Sequence, residues 1–519
     1  MTITTTPAVR NARRIADIDP NAAKLARKYR LLEPRQEIPE LFQRRDVHPP
    51  RLQEVLIDNW DTCYAIRLSD ANRVIEREAK WPATFQQVIN EKKNYGLHGD
   101  FGVWQMSRGG SGEIVYLKVR ITSGVVTYYT DDFSLDDATA YVAVKLRYLP
   151  QDGARAAENP AVSTDNLRVN TLSSTDDDPP ASVRSLVLSW DPDEDEMALM
   201  LGALNQWFNN HLEAFTHVFA SVDLNAKAAD DQFQWLSPTS HGYAYQNGTD
   251  DESSYFGVLC MTQNNPDTNL NWSLPSGAIP AGSRAGFTIS LARFLSNVVK
   301  PGLPKSFEDA TDSSFRLNDS QNVIENVGKL KMKAVRVGAI DYTPYVNSFV
   351  LQVVGEEIQI RTLAKVDISP GIRAVIDTTT YQKLIVVDKP DGTQTLDYEQ
   401  SRDPYVFHTI ETDIGIEIMQ WVIVLAAAVA SAVAGEVIEK VSQKIAACIV
   451  IAIVAGLIEL TIKLIEDVIG GKAAESLPPL NLLAQNATAP ITWPRTSGFQ
   501  LDKARLIGSF QLGGEYAIK

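Results

Sequence analysis

Cysteine and histidine are scarce in this chain of 519 residues, which contains three of the former and six of the latter. The thiols Cys63, Cys260 and Cys448 lie far apart and form no CxxC pair, so the sequence indicates neither a disulfide framework nor a cysteine metal site. The histidines show no HExxH or His-x3-His spacing of the kind that binds zinc. We therefore expect no metal ion and no cofactor.

Positive charge is also in short supply, because 49 Lys and Arg stand against 64 Asp and Glu and give a net charge of −15. An acidic surface repels nucleic-acid phosphate, so we expect no nucleic-acid partner. Residues 1–51 are the exception, with eleven basic residues against six acidic ones. We interpret residues 1–50 as a basic N-terminal extension, which is either a solvated tail or a docking arm for an acidic partner or a lipid headgroup.

The N-terminal residues MTITTTPAVRNARR lack the apolar segment of a signal peptide. We therefore expect a protein that is made in the bacterial cytoplasm without a signal peptide. Its release by another route, to act on host cells, stays open.

Motifs of nucleotide binding and of nucleophilic catalysis are absent too. The glycine-rich stretch RGGSGEIVYLKVRITSG, residues 108–124, lacks the Lys of a P-loop and leads into an alternating, strand-like segment. Glu113 stands where a GxSxG nucleophile motif needs glycine, so Ser111 is not expected to be catalytic. We interpret the stretch as a hairpin turn, since glycine accepts positive φ. The sequence predicts no catalytic residue and no enzyme.

What the sequence does contain is a succession of strand-like segments interrupted by long helices. Alternation of apolar and polar residues predicts antiparallel strands in residues 101–149 and again in residues 329–388. The order along the chain is strands, long helix, strands, and then strands, long helices, strand. This order predicts an α+β protein with two related halves, residues 51–310 and residues 311–519.

The helix of the first half is predicted over residues 195–219, where apolar residues recur three and four positions apart. The acidic segment DPDEDE before it lies at the positive end of the helix dipole, and we interpret it as a cap and not as a calcium loop. Asn205, Asn209 and Glu213 are expected on the more exposed side. The apolar stripe consists of Met197, Leu201, Leu204, Phe208, Leu212, Phe215 and Phe219.

The second half contains a long apolar region at about residues 414–469. Residues 418–435 and 445–458 are two runs without charge, and four charged residues lie between them. A membrane-spanning helix needs about 20 apolar residues, so the first run is borderline and the second is short. We interpret both as helices buried under the second sheet. The alternative is a hydrophobic hairpin that enters a membrane.

Three segments carry a resemblance to a known family: NWDTCYAI at residue 59, FGVWQMSRGGSGEIVYLKVRITSG at residue 101, and GFTISLARFLSNVVKPGLPKSF at residue 286. The chain resembles the clostridial forty-seven-kilodalton proteins of OrfX-type botulinum neurotoxin clusters and their insecticidal-locus relatives, from about Ile57 to Lys519. The resemblance implies the TULIP fold, in which each half wraps a curved antiparallel sheet around long apolar helices and leaves an apolar tube. It implies no catalytic residues.

The function expected from the resemblance is non-enzymatic binding of a lipid, a fatty acid or another hydrophobic ligand, by a component or accessory of a bacterial, insecticidal toxin locus. Burying each acyl CH₂ group contributes roughly 0.8 kcal/mol, so an acyl chain can bind without charged residues. A partner protein from the same gene cluster and contact with a membrane are further expectations. The alternatives are a membrane-inserting, pore-forming toxin that uses residues 414–469, or a structural scaffold for partner toxin proteins. The candidate ligand-lining residues are Leu201, Leu204, Phe208, Leu212, Phe215, Phe219, Ile418, Trp421, Val422 and Leu425.

Overall fold

The computed structural model of the chain describes residues 7–32, 54–150, 164–171, 179–224, 231–266, 268–415, 417–456 and 460–519. Its α-helices are α1 (Pro7–Ile18), α2 (Pro20–Lys28), α3 (Leu68–Glu78), α4 (Glu194–His211), α5 (Leu291–Phe294), α6 (Gln420–Glu436), α7 (Ser442–Ala455), α8 (Ile462–Ile469), α9 (Ala473–Ser476) and α10 (Leu480–Thr488). A π-helical turn, Val437–Val441, joins α6 to α7.

Strands outnumber helices in the described part of the chain. They are β1 (Thr62–Arg67), β2 (Thr84–Asn90), β3 (Tyr95–Ser111), β4 (Ile114–Tyr128), β5 (Asp131–Ser134), β6 (Thr139–Pro150), β7 (Thr164–Val169), β8 (Ala181–Val187), β9 (Ala220–Asp223), β10 (Pro238–Gln246), β11 (Tyr255–Thr262), β12 (Ala285–Ile289), β13 (Phe315–Leu317), β14 (Val323–Asn326), β15 (Leu330–Lys331), β16 (Val335–Val337), β17 (Ile340–Tyr342), β18 (Tyr345–Val354), β19 (Glu357–Ser369), β20 (Ile372–Asp388), β21 (Gln394–Gln400), β22 (Tyr405–Thr412), β23 (Ile491–Thr492), β24 (Thr496–Ile507) and β25 (Ser509–Ile518). The long hairpins β3–β4 and β19–β20 are antiparallel. The α+β class predicted from the sequence is confirmed.

The chain divides into two compact units. We call the first the α4 unit; it comprises residues 55–290, 484–503 and 511–519. The second, the α6 unit, comprises residues 1–54, 291–483 and 504–510. This division differs from the predicted halves 51–310 and 311–519, because β24 and β25 join the sheet that contains β1 and β12. The curved, TULIP-like form of each half stays a prediction.

The α4 unit contains two sheets. A nine-stranded sheet has the order β2-β3-β4-β6-β7-β9-β23, with β5 on β4 and β8 on β6, and a six-stranded sheet has the order β10-β11-β1-β12-β25-β24. The glycine-rich stretch forms the turn between β3 and β4, where Gly112 has a φ of 57°. The predicted hairpin turn is therefore confirmed.

Helix α4 begins with the predicted acidic cap. The Asp193 carboxylate accepts a hydrogen bond from the Glu196 amide at 2.9 Å, and the Glu196 carboxylate accepts one from the Asp193 amide at 2.8 Å. The helix ends at His211, so the prediction of a helix to Phe219 is wrong. Phe215, His217 and Phe219 are buried at alternate positions of an extended segment, and apolar residues in this register fit a strand as well as a helix.

Asn205 and Asn209 are half-buried whereas Leu204 and Phe208 are buried, so the asparagines are the more exposed, as predicted, although they face strand β8. The Asn205 Oδ1 accepts a hydrogen bond from the Val183 amide at 2.7 Å, and the Asn209 Nδ2 donates to the Ala181 carbonyl at 2.9 Å. Strand β8 pairs with β6, and the asparagines bind backbone groups of β8 that this pairing leaves free. Glu213 is exposed, as expected.

The α6 unit contains an eight-stranded sheet of order β13-β14-β18-β19-β20-β21, with β15 on β18 and β22 on β20, and a small β16–β17 hairpin. Helix α6, the π turn and α7 form one continuous helix, Gln420–Ala455, that packs on β19, β20 and β22. The two apolar runs are therefore not separate helices. Within the described residues of this region there is no hairpin turn between them. Ile414 precedes this helix, and the helices α8 and α9 follow it.

By length and composition, the helix Gln420–Ala455 could span a membrane, with a mean hydropathy of 2.2 in its most apolar window. In the structure 78% of that window is buried, as in the core helix of a soluble protein. Length and hydropathy alone therefore do not decide between a helix buried under the sheet and a segment that enters a membrane.

The basic N-terminal segment is helical where the structure describes it, at residues 7–32. Asp19 caps α2 by accepting hydrogen bonds from the amides of Asn21 and Ala22. Both α1 and α2 contact α6, and Ile15 and Ala26 are fully buried. The alternative of a solvated tail is therefore wrong for this stretch, and residues 33–50 lie outside the described part of the chain.

Close packing of α7 against the segment Lys300–Ser306 depends on a glycine. A Cβ atom at Gly302 would lie 2.7 Å from the Cβ of Cys448, closer than two carbon atoms pack. We expect Gly302→Ala to lower the free energy of unfolding by about 1–3 kcal/mol, because the rigid Cβ cannot move aside. Urea denaturation measures the change.

Gly498→Ala is the matched control, since nothing lies within 4 Å of an added Cβ there. Its effect should stay within about 0.5 kcal/mol. Equal effects of the two substitutions would contradict the close approach of Gly302 to α7.

Candidate functional site

The first set of predicted ligand-lining residues lies in the α4 unit. Leu204, Phe208, Leu212, Phe215 and Phe219 are buried, and Leu201 is half-buried. The ring of Trp104 on β3 lies 5.6 Å from that of Phe208 and 4.9 Å from that of Phe215. These residues therefore belong to a packed aromatic cluster.

The second set lies at the start of the long helix of the α6 unit. Ile418 precedes α6 and is 40% exposed, Trp421 is 58% exposed, Val422 is buried and Leu425 is half-buried. The two sets belong to different units. The ligand-lining role of both stays a prediction.

A cleft of about 510 Å³ in the α6 unit was not predicted from the sequence. Its floor is the helix-facing side of β20, β21 and β22. One wall is the π turn, and the other is the chain that follows α2. Binding sites for small molecules commonly have volumes of about 300–1,000 Å³, so the cleft has a suitable size.

The floor follows from the way in which β21 and β22 share one edge of the long strand β20. Gln382 pairs with Gln400 on β21, and Ile376 pairs with His408 on β22. Side chains at even positions of β20 and their cross-strand partners point to one face. Gln382, Gln400 and His408 therefore line the same side of the sheet.

The walls are fixed by hydrogen bonds on both sides of the π turn. The Thr380 hydroxyl bonds the Ser442 hydroxyl at 3.0 Å and ties the helix to the sheet. Lys28 and the Tyr29 hydroxyl donate to the Glu439 carboxylate at 2.7 Å and 3.1 Å. The bond from Lys28 lowers the pKa of Glu439 below its usual value, so this carboxylate is charged at neutral pH. Such π turns occur frequently at functional sites.

Two buried side-chain atoms at the cleft have no hydrogen-bond partner among the residues that the structure describes. They are the Oε1 atom of Gln382 and the Nε2 atom of His408, whose side chains are 4% and 2% exposed. Burial lowers the pKa of His408 to about 4, so the imidazole is neutral at pH 7. A buried polar group without a partner costs about 1–3 kcal/mol, so both atoms favour a bound ligand or water that supplies the missing bonds.

The chemistry that these groups offer is polar binding. Among the described residues, no group of three or more His, Cys, Asp or Glu side chains could hold a metal ion. The sequence does carry one signal for the cleft. Thr378, Thr380 and Gln382 alternate on the buried face of β20, where a strand ordinarily places apolar residues. The sequence gives no such signal for the walls of the cleft, because Lys28 and Glu439 lie far from these three residues in the sequence.

Burial of neutral His408 makes stability depend on pH. Between pH 6.5 and pH 4 the unfolded chain binds a proton at this imidazole and the folded chain does not. As the pH is lowered over this range, the free energy of unfolding therefore decreases, by up to about 3 kcal/mol from His408 alone. We expect His408→Phe to lose less stability than the wild type on acidification, measured by urea denaturation at several pH values.

His98→Phe, at an exposed position, is the control and should keep the wild-type pH dependence. If His408→Phe keeps it as well, His408 is not buried as a neutral imidazole.

Comparison with known proteins begins with a family model described as OrfX-like, Protein OrfX2/OrfX3/P47, which matches residues 57–514. Protein OrfX3 of Clostridium botulinum (strain Kyoto / Type A2) is 27% identical over 496 residues, covering 89% of this chain and 98% of that protein. OrfX3 of Paraclostridium bifermentans is 27% identical over 495 residues, with the same two coverages. Protein P47 of Clostridium botulinum is 22% identical, covering 68% of this chain and 84% of P47.

Solved structures of P47 have a similar fold. P47 from Clostridium botulinum A2 matches with a TM-score of 0.59 and 18% identity, covering 89% of this chain and 98% of that one. P47 of Clostridium botulinum E1 matches with a TM-score of 0.56 and 16% identity, covering 89% and 100%. The resemblance seen in the sequence is thus confirmed, and a family match over most of its length means that the chain belongs to the OrfX-like family.

Proposed function

We propose that this chain is a non-enzymatic component or accessory of a bacterial toxin locus and that it binds a lipid or another hydrophobic ligand. The chain is related to the OrfX and P47 proteins of botulinum toxin clusters. An insecticidal role, a partner protein from the same gene cluster, and release from the bacterium to act on host cells are parts of the same proposal.

The observation that carries the lipid-binding proposal is an arrangement common to both units. Helix α4 packs against β2, β3, β4 and β8, and α6 packs against β19, β20 and β22. An acyl chain held between an apolar helix and a sheet would bury CH₂ groups at roughly 0.8 kcal/mol each. A chain of about fifteen carbons thus offers on the order of 10 kcal/mol before the entropic cost of binding. No charged residue is needed.

Native mass spectrometry, followed by organic extraction, tests the proposal directly. We expect bound lipid or fatty acid in the purified wild type, and less of it in Phe208→Ala. If Phe208 lines a ligand, its removal enlarges an occupied space and costs less stability than the about 3–5 kcal/mol of a packed core position.

Phe287→Ala is the matched control, because Phe287 is fully buried in the six-stranded sheet with its ring 4.9 Å from that of Tyr64. It should cost the full core value and leave the lipid content unchanged. A large loss of stability in Phe208→Ala with unchanged lipid would assign Phe208 to the core. Repeated purification of lipid-free protein would overturn lipid binding altogether.

Membrane insertion is a second candidate, and the length and hydropathy of the helix Gln420–Ala455 favour it. Trp421 and Met419, at its N-terminal end, are exposed. Insertion would require the helix to leave the sheet, whereas lipid binding inside the unit would not. This difference can be tested by locking the helix in place.

The hydroxyl oxygens of Thr380 and Ser442 lie 3.0 Å apart, so cysteines at both positions would place their sulfur atoms close together, and we choose this pair for a disulfide between β20 and α7. We expect neither the oxidised nor the reduced double variant, nor the wild type, to release dye from vesicles of phosphatidylcholine and an anionic phospholipid. Dye release by the wild type and the reduced variant, but not by the oxidised one, would instead support membrane insertion. The two single cysteine variants are the controls.

A further inference from the structure

We propose that the cleft of the α6 unit binds a neutral sugar, whose hydroxyl groups pair with Gln382 and His408. This site differs from the apolar surfaces discussed above, and the inference does not depend on lipid binding. Three properties of the cleft support it: its charge balance, its unpaired polar atoms and its tyrosines.

The charged residues of the cleft balance one another. Lys28 and Arg30 contribute two positive charges, and Asp403 and Glu439 contribute two negative ones. Lys28 and Glu439 already form an ion pair at 2.7 Å. A ligand with a net charge of either sign would meet a like charge in the cleft, whereas a neutral polar ligand would not.

The unpaired atoms need a ligand that can both donate and accept hydrogen bonds. Gln382 Oε1 can only accept, whereas His408 Nε2 donates or accepts according to the tautomer of the neutral ring. The amides of Gln400 on β21 and of Gln443 in α7 offer both kinds of group. A hydroxyl group donates and accepts, so a polyhydroxylated ligand can satisfy this mixture, whereas inorganic phosphate offers mainly acceptors.

Tyrosines supply the apolar surface that the C–H face of a sugar ring requires. Tyr29 and Tyr398 line the cleft, and a tyrosine side chain combines a flat apolar ring with a polar tip. The Tyr29 hydroxyl donates a hydrogen bond to Glu439, which fixes the position of that ring. Recognition would therefore combine contact with a ring and hydrogen bonds to the hydroxyl groups around it.

Isothermal titration calorimetry of the full chain with glucose, galactose, mannose and N-acetylglucosamine tests the inference. We expect at least one sugar to bind the wild type, and Gln382→Leu to bind it about tenfold more weakly, the effect of losing one hydrogen bond. The melting temperature of Gln382→Leu without sugar should be unchanged or higher, because leucine removes an unpaired buried oxygen. If Gln382 only supported the fold, the substitution would instead lower this melting temperature.

Gln394→Leu is the matched control, because Gln394 lies on β21 but outside the cleft, and it should bind the sugar as the wild type does. His408→Phe is a second variant and should also weaken sugar binding. Absence of binding for all four sugars, or equal binding by wild type and Gln382→Leu, would overturn the inference. Binding of phosphocholine or inorganic phosphate but of no sugar would overturn it as well.

Two arms of the experiment distinguish a free sugar from a glycolipid headgroup. The chain is mixed with phosphatidylcholine vesicles that contain or lack a galactolipid, and with free galactose as competitor. If the chain floats only with the vesicles that contain the galactolipid, and free galactose abolishes this flotation, the ligand is a glycolipid headgroup. Binding of free sugar without flotation would identify a soluble ligand. Lipid extraction reports bound lipid and calorimetry reports binding of free sugar, so failure of either experiment leaves the other interpretable.

Discussion

The continuous helix Gln420–Ala455 is the element on which the α6 unit depends. It is apolar around most of its circumference, and such a helix must be covered on all sides. The eight-stranded sheet covers it through β19, β20 and β22, while α1 and α2 contact α6 directly. Hydrophobic burial thus explains why a strongly basic N-terminal segment folds onto the protein, although its charge alone is compatible with a solvated tail as well as with a docking arm.

The same helix has charged residues in its middle, near the point where its apolar cover opens. Glu436 is buried and accepts a hydrogen bond from Lys440, while Glu439 pairs with Lys28. A carboxylate in such a place must reach solvent or a partner, so the apolar cover cannot continue across it. The π turn lies at this point, and the cleft opens beside it. The cleft therefore lies beside the charged segment of an otherwise apolar helix.

How far the sequence predicts the structure depends on whether the governing interaction is local. The β3–β4 hairpin and the cap of α4 are local, since Gly112 and Asp193 act within a few residues, and both were predicted. The end of α4 at His211 is not local, because Phe215 and Phe219 reach the core from an extended segment as readily as from a helix. Likewise, the pattern places Asn205 and Asn209 on the more exposed side of α4, and only the three-dimensional position of β8 explains why they are half-buried there.

The cleft marks the limit of both sequence patterns and family resemblance. Its floor comes from β20, β21 and β22, its ion pair joins residues more than four hundred positions apart, and no motif connects them. The family model matches residues 57–514, whereas Lys28 and Tyr29 lie before that range. Part of one wall is therefore built by a segment on which the family match carries no information. The ligand of this cleft consequently has to be inferred from the groups that face it, and cannot be transferred from the relatives.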